Sequence, residues 1–321
     1  MATLTIGVDI GGTKVLAGVV DVRGQVLARV RNETPHRTTS PAVVEDTIAE
    51  AVAELAQRHP VSAVGIGAAG FVDASGSTVR FSPHLSWRDE PLREALAERV
   101  GLPVLIDNDA NATAWAEMRY GAGQGAAHFL CITMGTGIGG AIVIDGQVFR
   151  GANGMAGEFG HLQVVPDGRR CECGNRGCLE QYASGNALVR EARELVAAAS
   201  PVAYRLRELS GGEPGNLTGP IVTQAAQAGD PAAVELFGEI GGWLGTGLAI
   251  LTAAFDPERI IVGGGVGEAG EVLLGPARDT LRRTLTGRGF RPEPEVVSAR
   301  LGPDAGFIGA ADLARETFQD S

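Results

Sequence analysis

The 321-residue chain is poor in lysine, cysteine and aromatic residues. Lys14 is the only lysine among 27 basic residues, cysteines number four, and aromatics make up 5%. The 38 acidic residues exceed the basic ones, for a net charge of -11. Such a mean field repels polyanions, which excludes a generic nucleic-acid or acidic-membrane surface but not a local phosphate site. No apolar run reaches 18 residues without glycine or charge, so hydropathy predicts no spanning helix. The opening residues carry no basic segment, apolar core or cleavage site of the secretory kind, which points to the cytoplasm. Disulfides are rare there, so the four cysteines need another explanation. What is present in quantity is apolar residue (44%, with 20% charged) and glycine, 47 residues in all. This is a globular composition, and its length suits two domains. Without a collagen period, so much glycine suits tight turns and close backbone approach to a ligand.

Strand-like runs over residues 4–8 and 15–20 flank a glycine-rich turn and predict a hairpin, which residues 25–31 extend into a meander. Apolar spacing predicts helices over residues 42–58, 90–100, 110–120, 187–199, 221–228, 232–254, 273–285 and 306–317. Strands are predicted over residues 61–68, 104–106, 128–133, 141–144, 260–262 and 295–298. The pair at 128–144, turning through Gly135-Thr-Gly-Ile-Gly-Gly140, resembles the opening hairpin, and both copies end in aspartate, at Asp21 and Asp145. A duplicated hairpin core explains the repeat. Residues 151–185 read as irregular. The class is mixed α/β.

In Asp9-Ile-Gly-Gly-Thr-Lys14 the glycines Gly11 and Gly12 let backbone N–H groups approach a phosphate. Thr13 adds a hydroxyl, Lys14 a point charge, and Asp9 a carboxylate for hydrated Mg²⁺. A plain hairpin turn with a solvated lysine fits the same residues. A Walker A loop does not, because Lys follows Thr and a strand follows the turn. Gly135–Gly140 satisfies GxGxxG but leads into a strand. Gly265–Gly270 follows a strand and precedes a helix, yet no carboxylate closes a dinucleotide unit after it. It reads as a glycine-lined platform for adenosine.

Cys171, Cys173 and Cys178, with His161 ten residues upstream, match a tetrahedral Cys₃His zinc site. Gly174 and Gly177 let the loop fold back. A disulfide within the loop is the competing reading, and the compartment argues against it. Cys131 lies in an apolar strand and reads as a small buried hydrophobe. Four protein ligands make a closed, structural site, whose role would be to staple an irregular loop. A DNA-binding zinc ribbon is the rival use, which the surrounding charge does not support. Asp109, Glu158 and Glu180 are candidate site carboxylates. If His161 gives one ring nitrogen to zinc, the other can reach a ligand. Such a cluster suits a polyhydroxylated molecule, whose hydroxyls both donate and accept. Asp107 competes for any role given to Asp109, and Asp109 alone also reads as a helix N-cap.

These motifs occur in an order that resembles the ROK family (repressors, open reading frames, kinases). They are Asp9–Lys14, Asp107-Asn-Asp-Ala-Asn-Ala112, Gly135–Gly140, Gly157-Glu-Phe-Gly-His161, the cysteine run ending at Glu180, and Val262-Gly-Gly-Gly-Val266. The resemblance covers nearly the whole chain and is greatest to the glucokinases of actinobacteria. It implies a two-domain actin/hexokinase-like ATPase fold, with a duplicated β-meander core, helices around it and the active site in the interdomain cleft. The small domain would comprise residues 1–110 plus 303–321, and the large domain residues 111–302 with the zinc loop.

The implied activity is transfer of phosphate from ATP-Mg to glucose, giving glucose 6-phosphate. Asp109 would be the base on the sugar 6-hydroxyl. Gly70, Asn108, Asp109, Glu158, His161 and Glu180 would hold the sugar, and His161, Cys171, Cys173 and Cys178 the zinc. Asp9, Gly11, Gly12, Thr13 and Lys14, with Gly135, Thr136 and Gly137, would hold phosphates and Mg²⁺. Gly263, Gly264, Gly265 and Val266 would lie near the adenosine. Partners would be the hexose and ATP, with no nucleic acid and no membrane, in a homodimer or homotetramer. Mannose, fructose, allose or an N-acetylhexosamine are alternative sugars, and polyphosphate is an alternative donor. A sugar-sensing regulator without catalysis and a nicotinamide dehydrogenase are the rivals from other classes. One departure is His84, in Ser82-Pro-His-Leu-Ser-Trp87, where the family usually has asparagine. Family repressors carry an N-terminal helix-turn-helix, and with eight residues ahead of Asp9 none is expected here.

Overall fold

The computed structural model describes residues 4–319. The chain opens with β1 (Leu4–Ile10), β2 (Lys14–Val20), β3 (Val26–Glu33), α1 (Pro41–Ala56) and β4 (Val61–Ala68). Three short strands follow, β5 (Phe71–Val72), β6 (Val79–Phe81) and β7 (Arg88–Glu90), then α2 (Leu92–Val100), β8 (Val104–Asn108) and α3 (Asp109–Tyr120). Next come β9 (Phe129–Met134), β10 (Ile138–Ile144) and β11 (Gln147–Val148). A largely irregular stretch leads to α4 (Glu180–Ala183), α5 (Gly185–Ala197), α6 (Tyr204–Leu209), α7 (Gly219–Gln227) and α8 (Pro231–Phe255). The chain closes with β12 (Arg259–Gly263), α9 (Gly264–Gly267), α10 (Glu271–Thr284), β13 (Glu295–Ser298) and α11 (Ala305–Phe318).

The two main sheets share one topology. The first has the order β3-β2-β1-β4-β8 and the second β11-β10-β9-β12-β13. In the first, β1–β3 form an antiparallel meander, and β4 and β8 add parallel to β1. The expected duplicated meander core is therefore present. By its contacts the chain divides into two compact units. The first holds the chain up to Ala127, Ala141–Gly157, and the chain from Arg300 onward; the second holds His128–Gly140 and Glu158–Ala299.

In the first unit, β1 shows why alternation matters. Ile6, Val8 and Ile10 are buried in one core cluster with Val44 and Ile48 of α1 and Leu92 and Leu96 of α2. Thr5, Gly7 and Asp9 point to the opposite face, as a period of two requires. That face takes α11. Thr5 Oγ1 donates to the Ala311 carbonyl at 2.9 Å. A Cβ on Gly7 would lie 1.7 Å from the Phe307 carbonyl oxygen, and one on Gly65 of β4 would lie 1.8 Å from that of Ala310. Glycine at these two points lets the helix backbone rest directly on the strands. Asp9 then faces Gly306 in the first turn of α11.

Helix α2 starts later than expected, because Arg88–Glu90 pairs as β7 and Pro91 takes the N-cap position. The sheet of β5, β6 and β7 was not read from the sequence: its strands are two or three residues long, too short to show a period.

In the second unit, β9, β12 and β13 run parallel. Helix α8 is capped by Asp230, whose side chain accepts from Ala233 N at 2.8 Å, with Pro231 in the first turn. It packs along α10. By length and composition α8 could cross a membrane, but most of its apolar window is buried inside the protein. Burial against α10 and α7 accounts for that hydropathy.

Candidate functional site

Parallel register collects the first group of candidate residues. Across β1, β4 and β8, Asp9 pairs with Gly67, and Gly67 with Asp107. Asp9 on β1 and Asp107 and Asn108 on β8 thus sit at the carboxyl ends of parallel strands separated by β4, on the edge where open α/β sheets bind ligands. The turn from Asp9 to Lys14 is closed by a bond from Gly11 N to the Lys14 carbonyl at 3.1 Å. Thr34 pins it from β3's end, its hydroxyl donating to the Gly11 carbonyl at 2.7 Å. Gly12 is exposed, and its missing Cβ would meet the Cβ of His84 at 2.8 Å. His84 therefore backs the turn. Burial pushes the Asp9 carboxyl up to about 6, against the opposing pull of the Lys14 ammonium.

Asp107 and Asn108 both hydrogen-bond within this edge. Asp107 is buried, and its Oδ1 accepts from Asn108 N at 2.8 Å and Asn111 Nδ2 at 2.9 Å. Its Oδ2 accepts from Arg150 Nε at 2.9 Å and Nη2 at 2.5 Å. Asn108 is the N-cap of α3, accepting from Ala110 N and Asn111 N. Its amide donates to the Gly70 carbonyl at 3.1 Å, tying Gly70, at φ +142°, to the same edge. The cap is thus Asn108 rather than Asp109, which opens α3 and is half-buried.

In the second unit the irregular loop gathers the zinc candidates. The ligand atoms of His161, Cys171, Cys173 and Cys178 all lie within 4.8 Å of one another. Cys171 Sγ is 3.6 Å from His161 Nδ1, and the Cys173 and Cys178 sulfurs are 3.7 Å apart. A tetrahedral zinc with bonds of about 2.3 Å to sulfur separates two thiolates by roughly 3.8 Å, so the set fits that ion. Burial raises the Cys171 thiol and pushes Cys178 up to about 12. A divalent cation reverses that preference by stabilising the thiolates.

His161 turns its other nitrogen, Nε2, toward Glu158, whose Oε2 lies 3.8 Å away. Burial raises the Glu158 carboxyl, His161 opposes the rise and Glu180 adds to it. Glu180 opens α4 and accepts a bond from Ile138 N at 3.0 Å. His161, Glu158 and Glu180 are therefore brought together around the metal-ligand cluster.

The glycine turns of this unit meet at one cavity of about 610 Å³. Register again explains it, since Gly263 at the end of β12 pairs with Thr133 at the end of β9. Gly135 and Thr136 line the cavity beside Gly265 and Val266. Gly264, at φ +80°, packs on the Met134 carbonyl and starts the short α9. The turn after β9 is tighter than the six-residue motif suggested, because β10 already begins at Ile138. Sequence reading missed the cavity's far wall: Gly185, Asn186 and Val189 of α5, and Ile221, Thr223 and Gln224 of α7. The only local signal was that both helices begin with glycine. The volume lies in the range of small-molecule and cofactor sites.

Comparison with known proteins identifies the family. A model of the ROK family matches residues 5–317. A glucokinase of Streptomyces coelicolor is 49% identical over 98% of each chain. The crystal structure of a ROK family glucokinase from Streptomyces griseus, in complex with glucose and AMPPNP, superposes with a TM-score of 0.91 at 51% identity, over 98% of this chain and 99% of that one. A ROK hexokinase from Thermus thermophilus gives a TM-score of 0.75 at 36% identity, over 99% of this chain and all of that one. With its duplicated sheets and its His and Cys cluster placed as described, the chain belongs to the ROK family.

Proposed function

We propose that the protein is an ATP-dependent hexose kinase that converts glucose to glucose 6-phosphate. The observation that carries this is the similarity, at a TM-score of 0.91 and 51% identity, to a glucokinase crystallised with glucose and AMPPNP. The nucleotide-sized cavity between the Gly135 turn and Gly265–Val266 supports the same reading.

Asp109 is the base in this proposal. Asp107, its competitor, has both oxygens engaged by Arg150, Asn108 and Asn111. Asp109 accepts the 6-hydroxyl proton as that oxygen attacks the γ-phosphorus. The new O–P bond forms while the bond to the β–γ bridging oxygen breaks, and ADP leaves with that electron pair. Phosphoryl transfer asks little covalent work of a protein, so positioning and charge stabilisation dominate. Gly70, Asn108, Glu158, His161 and Glu180 orient the sugar, whose hydroxyls each need donors and acceptors. Asp9, Gly11, Gly12, Thr13 and Lys14, with Gly135, Thr136 and Gly137, serve the phosphates. Gly263, Gly264, Gly265 and Val266 serve the adenosine.

Mg²⁺ would be held with the nucleotide near Asp9 and supplies charge neutralisation on the phosphates. Zinc would be held by His161, Cys171, Cys173 and Cys178, where it staples the loop and fixes the His161 ring so that Nε2 faces the sugar.

The test is ADP release from Mg-ATP by purified protein against a panel of glucose, mannose, fructose, allose and N-acetylhexosamines. Release that depends on glucose and far exceeds the sugar-free background is the expected result. No release with any sugar, from zinc-loaded protein, would refute the kinase reading in favour of a binding-only sensor.

A further inference from the structure

We infer that Glu180 is a positioning residue for the nucleotide, through which the zinc-ligand loop sets nucleotide affinity as well as sugar affinity. The inference rests on the nucleotide reading of the Gly135 turn given above. Glu180 stands two residues after the ligand Cys178, and its Oε2 accepts from Ile138 N at 3.0 Å. A Cβ on Gly137 would fall 2.1 Å from that same oxygen. The carboxylate is thus seated against the turn backbone, at a point where a larger residue would displace it.

The contact continues along the chain. Helix α4 ends at Ser184, which caps α5. Gly185 N then donates to the Gly135 carbonyl at 2.9 Å, and Asn186 N to the Thr136 carbonyl at 3.3 Å. One short stretch, Glu180 to Asn186, therefore makes three hydrogen bonds along residues 135–138, while Gly135 and Thr136 line the cavity beside Gly265 and Val266. Upstream the same stretch is tied to the metal cluster. Leu179 N donates to the Leu162 carbonyl at 2.7 Å, next to His161, and Cys178 bridges Gln163. Glu180 Oε1 also lies 3.9 Å from Cys171 Sγ. A shift of Cys178 moves Glu180, and a shift of Glu180 removes the acceptor that orients Ile138 N and the turn.

The experiment is titration of the zinc-loaded protein with AMPPNP-Mg in the absence of sugar, which separates this role from any contact of Glu180 with the sugar. Losing a hydrogen bond to a charged group is expected to weaken nucleotide binding about tenfold or more in Glu180→Ala. Glu180→Gln keeps an acceptor oxygen and is expected to recover affinity to within about threefold of the parent. Zinc content is measured in each variant. Nucleotide affinity unchanged in a zinc-replete Glu180→Ala protein overturns the inference. If that variant loses zinc or fails to fold, Gly137→Ala takes its place: the added methyl must push the carboxylate off the turn, and unchanged affinity overturns the inference equally. Failure of the parent protein itself to bind AMPPNP-Mg would instead overturn the nucleotide reading on which the inference rests.

Discussion

Asp107 and Asp109 lie two residues apart, and the roles proposed for them predict different consequences for losing each. In Asp107→Asn the Oδ2 that accepts two bonds from Arg150 becomes an NH₂ facing two donors. Alternatively the amide turns, and the same conflict falls on Asn108 N and Asn111 Nδ2. Asp107 is buried, with its side chain 6% exposed, whereas Arg150 is 38% exposed and can recover part of its loss from water. The cost is therefore expected near the lower part of the range for broken buried pairs, about 2–4 kcal/mol. That corresponds to a fall in Tm of roughly 5–15 °C for a unit of this size. Asp109→Asn removes the base of the proposed mechanism, so kcat is expected to fall by about 10²–10⁴. Differential scanning calorimetry and glucose-dependent ADP release on both variants test the pair. An Asp107→Asn protein that keeps its Tm and loses turnover, beside an active Asp109→Asn protein, would refute the assignment.

Other outcomes follow from the same geometry. Removing zinc with a chelator, or Cys173→Ser, is expected to abolish measurable glucose binding by calorimetry, because His161, Glu158 and Glu180 share the stapled loop; unchanged affinity in zinc-free protein contradicts this. Asp9, raised to about 6 from an ordinary 3.8, contributes stability that is fully present below pH 3.8 and lost as pH rises through about 6. Asp9→Asn is accordingly expected to raise Tm at pH 8, by up to about 3 kcal/mol in stability, and not at pH 3.5. It is the ionised form that favours Mg²⁺, so Mg-nucleotide affinity should weaken below about pH 6 in the parent and lose that dependence in the variant. Gly7→Ala places a methyl 1.7 Å from the Phe307 carbonyl and should cost more than about 3 kcal/mol, read as loss of soluble protein or of Tm. Gly11→Ala meets nothing within 4 Å and should leave Tm in place.

Local chemistry made much of this protein legible in its sequence. Alternating and helical apolar spacing located the strands of both meanders and helices such as α1, α8 and α11, because burial of one face imposes that period. The Cys₃His set was legible because a tetrahedral ion needs those atoms wherever the loop goes. The glycine turns were legible because backbone approach needs glycine.

Other features only the tertiary structure decided, since they depend on contacts between residues far apart in the chain. Spacing left Asp107 and Asp109 equivalent; only the fold brings Arg150, from 43 positions away, onto Asp107. The seating of His84 behind Gly12 and of Glu180 against Gly137 leaves no periodic trace in either segment. The cavity wall from α5 and α7 was invisible because side chains on a helix declare that they face something apolar, not which turn of another segment they face. Sequence determined which residues are candidates for the chemistry and the local structure that presents them. Register across parallel strands, which pairs Asp9 with Gly67 and Gly67 with Asp107, set Asp9 and Asp107 in one row on the same sheet edge.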